Sequence, residues 1–240
     1  MGQVFEAMDV GDCGPVAIKV IKGREAMSEA ARIRFVREAR AAGLLQHPNI
    51  VAVRDIGQVR GALYIVMEYL GGLPLTTFIP GPPTLSLKAK LSILAQTADA
   101  LGHAHSQGVV HRDVKPGNIM ILGEGSVKMV DFGIAELAGL PNSVGGTLPY
   151  MSPEQLAGQT DLESLTPTLF GIASQRLDGR SDIWSAGVTL FELLTGRLPF
   201  HNMWEIVSAP LPVVPTTFSL ARGLNAVLAR ALAKDPEMRY

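Results

Sequence analysis

The chain is poor in the features that mark several classes of protein. It has one cysteine, Cys13, among 240 residues, so an internal disulfide is excluded and a reducing, cytoplasmic setting is expected. Cys13 lies in a Gly-Asp-Cys-Gly-Pro turn and reads as an incidental loop thiol. Charge of neither sign dominates. The formal net charge is −1, so no basic field advertises nucleic acid as a partner. No uninterrupted apolar run reaches the roughly 18 residues of a membrane span. The N-terminus shows no basic region followed by an apolar stretch, the mark of a signal peptide. Internal repeats and low-complexity segments do not stand out, and no Cys/His spacing suggests zinc. What the chain does have is apolar content, 47% of residues. That is enough to bury a sizeable core in one or two domains.

The first part reads as strands with one helix. Strands are predicted over 3–8 and 16–21 around a Gly/Asp/Pro turn, a hairpin pattern. A helix is predicted over 28–46, and further strands over 51–56 and 63–70. Gly71-Gly72 then breaks the pattern and marks a boundary, dividing 1–70 from 71–240. Beyond it the chain is mostly helical. Ser86 is placed to cap a helix ending near Gly108, with Leu91, Leu94, Ala95, Ala98 and Leu101 along one face. A second helix is predicted over 182–195, with Gly196 in the stop position. A third is predicted over 220–233, preceded by an extended connection at Pro210, Pro212 and Pro215. The fold class is α+β.

The chemistry concentrates in one stretch, His111-Arg112-Asp113-Val114-Lys115-Pro116-Gly117-Asn118, followed by Asp131-Phe132-Gly133. Two carboxylates, an ammonium and an amide there form an inventory for holding Mg²⁺ and a polyphosphate. Elsewhere, Ala17-Ile18-Lys19 alternates so that Ala17 and Lys19 share one strand face. On the 28–46 segment, Phe35, Ala39, Ala42 and Leu45 form an apolar stripe, and Glu38 lies on it. A carboxylate on a packed face requires a partner; otherwise Glu38 sits at the stripe's edge and reaches water.

These segments, with Gly145-Gly146-Thr147-Leu148-Pro149-Tyr150-Met151-Ser152-Pro153-Glu154 and Asp182-Ile183-Trp184-Ser185, resemble the motifs of eukaryotic-type protein kinases. Lys115 two residues after Asp113 resembles the Ser/Thr class, and the general style is that of bacterial eukaryotic-like kinases. The resemblance covers nearly the whole chain. It implies a two-lobed fold, a small β-rich lobe with one main helix over 1–70 and a larger helical lobe over 71–240. It also implies ATP and Mg²⁺ as cofactors and protein Ser/Thr hydroxyls as substrates.

Roles follow by the same resemblance. Asp113 is the expected base for the substrate hydroxyl, and Lys115 neutralises charge on the transferred phosphoryl group. Asn118 and Asp131 hold the metal. Lys19 holds the α/β-phosphates and pairs with Glu38. Met67 is the gatekeeper, the backbone of Glu68 and Leu70 bonds the adenine, and Val4, Ala17 and Met120 sandwich it. Gly2 stands as the third glycine of the phosphate-covering loop. Thr147 contacts the catalytic loop, Glu154 pairs with Arg239, and Asp182 accepts backbone N–H bonds. Arg112 is expected to meet a phosphate on Ser143, or else to pair directly with Glu136.

Three departures bear on this reading. Met1-Gly2-Gln3-Val4-Phe5 matches only the end of the Gly-rich loop, so the first strand and two glycines are missing. Tyr240 falls just short of the family's last helix. The stretch between Glu154 and Asp182 is roughly a dozen residues longer than usual, read here as a surface insertion. The expected function is ATP-dependent serine/threonine protein phosphorylation. The alternatives are a nucleotide-binding pseudokinase scaffold and a small-molecule kinase of related fold.

Overall fold

The computed structural model describes residues 3–11, 13–21, 43–59, 62–79, 85–132, 148–157, 177–215 and 221–240. Strands β1 (Gln3–Met8), β2 (Pro15–Ile21), β3 (Val53–Val59) and β4 (Ala62–Glu68) form an antiparallel sheet in the order β1-β2-β4-β3. The β1–β2 turn is held by Asp9, whose carboxylate accepts the Gly11 N–H at 2.9 Å. In β4, Leu63, Ile65 and Met67 are buried and the residues between them are not, the period of two that a half-buried strand requires. Strand β3 begins two residues later than predicted. The reason is that Val51 donates its N–H to the Met129 carbonyl at 2.9 Å, outside this sheet.

The register fixes which side chains share a face. Val4 lies opposite Lys19, and Lys19 opposite Ile65; Ala17 lies opposite Met67. Directly paired residues point the same way. Val4, Ala17, Lys19, Ile65 and Met67 therefore all face one side of the sheet.

The chain leaves this sheet through 69–72 and enters a second, three-stranded one: β5 (Leu73–Pro74), β6 (Ile119–Ile121) and β7 (Val127–Met129). Gly72 is required at the crossing, because a Cβ there would lie 2.4 Å from the Ile121 carbonyl oxygen.

Helix α1 (Leu87–Ser106) is capped by Ser86, whose hydroxyl accepts the Ala89 N–H at 3.2 Å. Its buried face differs from the expected one. Ile93, Thr97, Ala100, Leu101 and Ala104 face the core, while Ala95 and Ala98 are exposed. Thr97 tolerates burial because its hydroxyl donates to the Ile93 carbonyl at 2.9 Å.

The short helix α2 (Pro153–Ala157) precedes α3 (Gly179–Thr195). Helix α3 begins three residues before the predicted start, where the Asp178 side chain caps it. It ends at Gly196 in the left-handed region at φ 73°. Helices α4 (Met203–Ser208) and α5 (Ala221–Ala231) complete the helical layer. The main core surrounds α3, where Trp184, Val188 and Phe191 meet Phe200, Ile206 and Leu228, all fully buried. The predicted 28–46 helix lies outside the described residues apart from its last turn.

Candidate active site

Helix α1, the segment after it and helix α3 together build the base of the site. Asp182, in the first turn of α3, is fully buried. One carboxylate oxygen accepts the His111 N–H at 2.8 Å and the other the Arg112 N–H at 2.7 Å. Two consecutive amides converge on one carboxylate because Arg112 is left-handed, at φ 66°, an unusual conformation for a residue with a side chain. His105, near the end of α1, completes the set, with Nε2 2.7 Å from Asp182 Oδ2. Its ring fits there because residue 179 is glycine; a Cβ would come within 2.6 Å of it. No spacing in the sequence pairs His105 with Asp182. The hint was Asp182 itself, since a buried carboxylate needs donors.

His111 links this base to the strands. Its Nε2 lies 3.0 Å from the Val130 carbonyl, and its Nδ1 accepts the Asp113 N–H at 3.2 Å. Together these partners specify a neutral imidazole protonated on Nε2. The ring also packs on Phe132 at 4.5 Å between centroids. From the sequence alone His111 has no role of its own within the motif.

Above this base, Asp113, Lys115, Asn118, Asp131 and Lys19 form a chain of contacts. Lys115 Nζ donates to both Asp113 oxygens, at 2.7 and 3.0 Å. The Asn118 amide donates through Nδ2 to the Asp113 carbonyl at 2.8 Å and to Oδ2 at 3.0 Å. The Asn118 backbone carbonyl accepts the Val130 N–H at 3.0 Å, which fixes Asp131 one residue on. Asp131 is itself left-handed, at φ 67°. Its carboxylate meets Lys19 Nζ at 2.7 Å. With Nδ2 committed to Asp113, the side-chain oxygen is the acceptor that the Asn118 amide has left. An amide oxygen and a carboxylate are the hard donors that Mg²⁺ takes. Among the described residues no three His, Cys, Asp or Glu side chains gather into a metal group. A divalent ion here would complete its shell from phosphate and water, as Mg²⁺ usually does.

The sheet face carrying Val4, Ala17 and Met67 overlies this chain. Met67 is buried, while Val4 is exposed. Glu68 ends β4, Leu70 follows in the connection, and Met120 is half-buried in β6. Apolar side chains Ile50, Val51, Val53, Ile65 and Met67 line a pocket whose floor is Asp131 and Phe132. Gly2, Glu38, Glu136, Ser143 and Thr147 lie outside the described residues, and with them the expected Lys19–Glu38 pair and the phosphate site.

Beneath the segment 148–157, Glu154 and Arg239 pair in full burial, at 2.7 and 3.0 Å. Arg239 also donates to the carbonyls of Ala233, Arg180 and Lys234. All five guanidinium N–H groups are thereby used. Burial alone would raise the Glu154 carboxyl. Arg239, with the Ser181 hydroxyl, more than offsets it and holds the group below the ordinary carboxylate range. Nearby, Tyr150 donates its hydroxyl to Glu192 at 2.6 Å. Desolvation raises both groups, and the Glu192 charge adds to the rise at Tyr150.

Lys19 of the first sheet thus reaches Asp131, and the Val130 N–H ties that position to the Asn118, Asp113 and Lys115 cluster. The protein kinase domain model matches residues 1–240, so the chain belongs to the protein kinase family. It is 37% identical to the serine/threonine-protein kinase PrkC of Bacillus subtilis, a match covering the whole chain and 36% of that protein. It is 38% identical to the serine/threonine-protein kinase PknB of Mycobacterium tuberculosis, covering the whole chain and 39% of that protein. The chain thus spans under two-fifths of the length of these relatives. Among solved structures, the PknI kinase domain of Mycobacterium tuberculosis aligns with a TM-score of 0.75 at 32% identity, covering 100% of this chain and 85% of that one.

Proposed function

We propose that this domain transfers the γ-phosphate of ATP to Ser or Thr hydroxyls of proteins. The observation that carries the reading is two contact sets, Lys19 on Asp131 and the Asp113–Lys115–Asn118 cluster, tied together by the Val130 N–H on the Asn118 carbonyl. Asp113 accepts the proton of the attacking hydroxyl as its oxygen bonds to the γ-phosphorus and the bond to the ADP oxygen breaks. Lys115, already on Asp113, neutralises charge on the moving phosphoryl group. Lys19 turns from Asp131 to the α/β-phosphates when nucleotide enters. Asn118 and Asp131 would hold Mg²⁺, which would supply charge neutralisation for the phosphates. Adenine lies against Val4, Ala17 and Met120, with the Glu68 carbonyl and Leu70 N–H bonding its edge and Met67 behind it. Catalysis here is mainly positioning and electrostatics.

Residues 1–70 and 71–240 act as the two lobes. A single cysteine fits a reducing, cytoplasmic placement of this domain. The test is transfer from labelled ATP, with Mg²⁺, to a generic Ser/Thr protein substrate. Asp113→Asn lowers the rate by about 10² or more. ATP binding without any transfer would favour the scaffold reading instead.

A further inference from the structure

Glu68 ends β4, where the chain turns toward the second lobe. Its backbone N–H donates to the Ala52 carbonyl at 2.9 Å, and its side chain accepts the Ala52 N–H at 2.7 Å. The same carboxylate oxygen receives Lys128 Nζ, and Lys128 also donates to the Ile50 carbonyl at 3.2 Å. Lys128 is the middle residue of β7, three residues before Asp131. Backbone bonds already stitch 49–51 to β7, from Met129 N–H to the Asn49 carbonyl and from Val51 N–H to the Met129 carbonyl. The ion pair adds β4 to that seam. Lys128 and Glu68 are 19% and 26% exposed, and the fixed backbone partners Ala52 and Ile50 hold both ends of the pair in place.

We infer that Lys128 is a positioning residue for nucleotide. By clamping the Glu68 side chain it sets the distance and angle between the backbone at Glu68 and the strand that delivers Asp131. These are the two ends of the proposed ATP site, so the inference rests on the kinase reading above. Neither Lys128 nor its clamp contacts the transferred group. The effect falls on nucleotide affinity and leaves the phosphoryl step alone.

The test measures binding of ATP with Mg²⁺ by calorimetry in an Asp113→Asn background, which prevents turnover. Lys128→Met weakens ATP binding about tenfold, the size of one charge-assisted hydrogen bond. Lys128→Arg restores most of it. Glu68→Gln gives a similar loss, and the double variant loses no more than Lys128→Met alone, because both remove the Lys128–Glu68 contact. In the parent with Asp113 intact, Lys128→Met raises KM for ATP while kcat and KM for the protein substrate stay within about twofold. If Lys128→Met proves unstable, Glu68→Gln carries the measurement. Unchanged ATP affinity in both variants, or a raised kcat at constant KM, overturns the clamp and leaves the kinase reading standing. Failure of the parent to bind ATP overturns both.

Discussion

The molecule holds two ion pairs of similar length in contrasting settings. Lys19–Asp131, in the cleft, spans 2.7 Å with its side chains 17% and 25% exposed. Glu154–Arg239, under the helical layer, also spans 2.7 Å, with exposures of 2% and 0%. Among the described residues the charged groups of the first pair meet only each other, an arrangement that a ligand can exchange. The second is a closed network in which every guanidinium N–H is spoken for. Distance therefore says little about the role of an ion pair. Solvent and the number of other donors decide whether it is a structural member or an exchangeable contact.

The sharpest way to break this comparison is to cut each pair on its cationic side. Arg239→Met leaves Glu154 buried without its counter-charge, and three backbone carbonyls lose their donor. Breaking a buried pair in this way costs about 3–5 kcal/mol, read as a shift in the urea midpoint. A loss under 1 kcal/mol would mean the network is no more structural than the cleft pair. The same pair sets an acid sensitivity. The folded Glu154 value lies below the unfolded one, so its stabilisation is present above the ordinary glutamate range and vanishes as pH falls through the folded value. Wild type and Glu154→Gln should differ in midpoint at pH 7 and converge in acid. Parallel curves throughout would contradict the assignment.

Asp182 sharpens the comparison from the other side, as a buried carboxylate whose donors are mostly backbone. Asp182→Asn keeps one acceptor oxygen but turns an N–H₂ toward a donor, at about 1–3 kcal/mol for the group left unsatisfied. Activity should fall as well, since the left-handed turn at Arg112 that presents Asp113 is held by these bonds. Retained kcat with lost stability would separate the base from the catalytic loop.

How far the sequence disclosed all this depended on how local each signal was. The cleft residues were legible because Asp113, Lys115 and Asn118 lie within one turn of chain and Asp131 follows a short strand. The Glu154–Arg239 pair, 85 residues apart, was found only through resemblance. His105 and Asp182 are 77 residues apart, and no spacing rule joins them. The buried face of α1 was misplaced because alanines occur on both sides of that helix, while a polar Thr97 faces inward. The start of β3 was misplaced because Val51 is apolar for a different reason, its junction with β7. No local signal in the sequence marks Lys128, since its partner lies on another sheet. The Lys19–Glu38 pair stays an expectation from the apolar stripe and the family resemblance.

The smallest effect is expected at the cleft pair. Lys19→Met removes the charge facing Asp131, but both groups reach water, so the loss of stability should stay within about 1 kcal/mol. What the variant loses is response to ligand. A protein that binds ATP only when folded gains about 2.7 kcal/mol at a hundredfold excess over Kd. The parent should show that gain as a rise in Tm with ATP and Mg²⁺, whereas Lys19→Met should show little of it at the same concentration. The two ion pairs then part company in opposite directions: Arg239→Met changes Tm without ligand, and Lys19→Met changes Tm only with it. An apo Tm that drops as far for Lys19→Met as for Arg239→Met would make the cleft pair a structural one, and the exchange of Lys19 from Asp131 to phosphate would have to be abandoned.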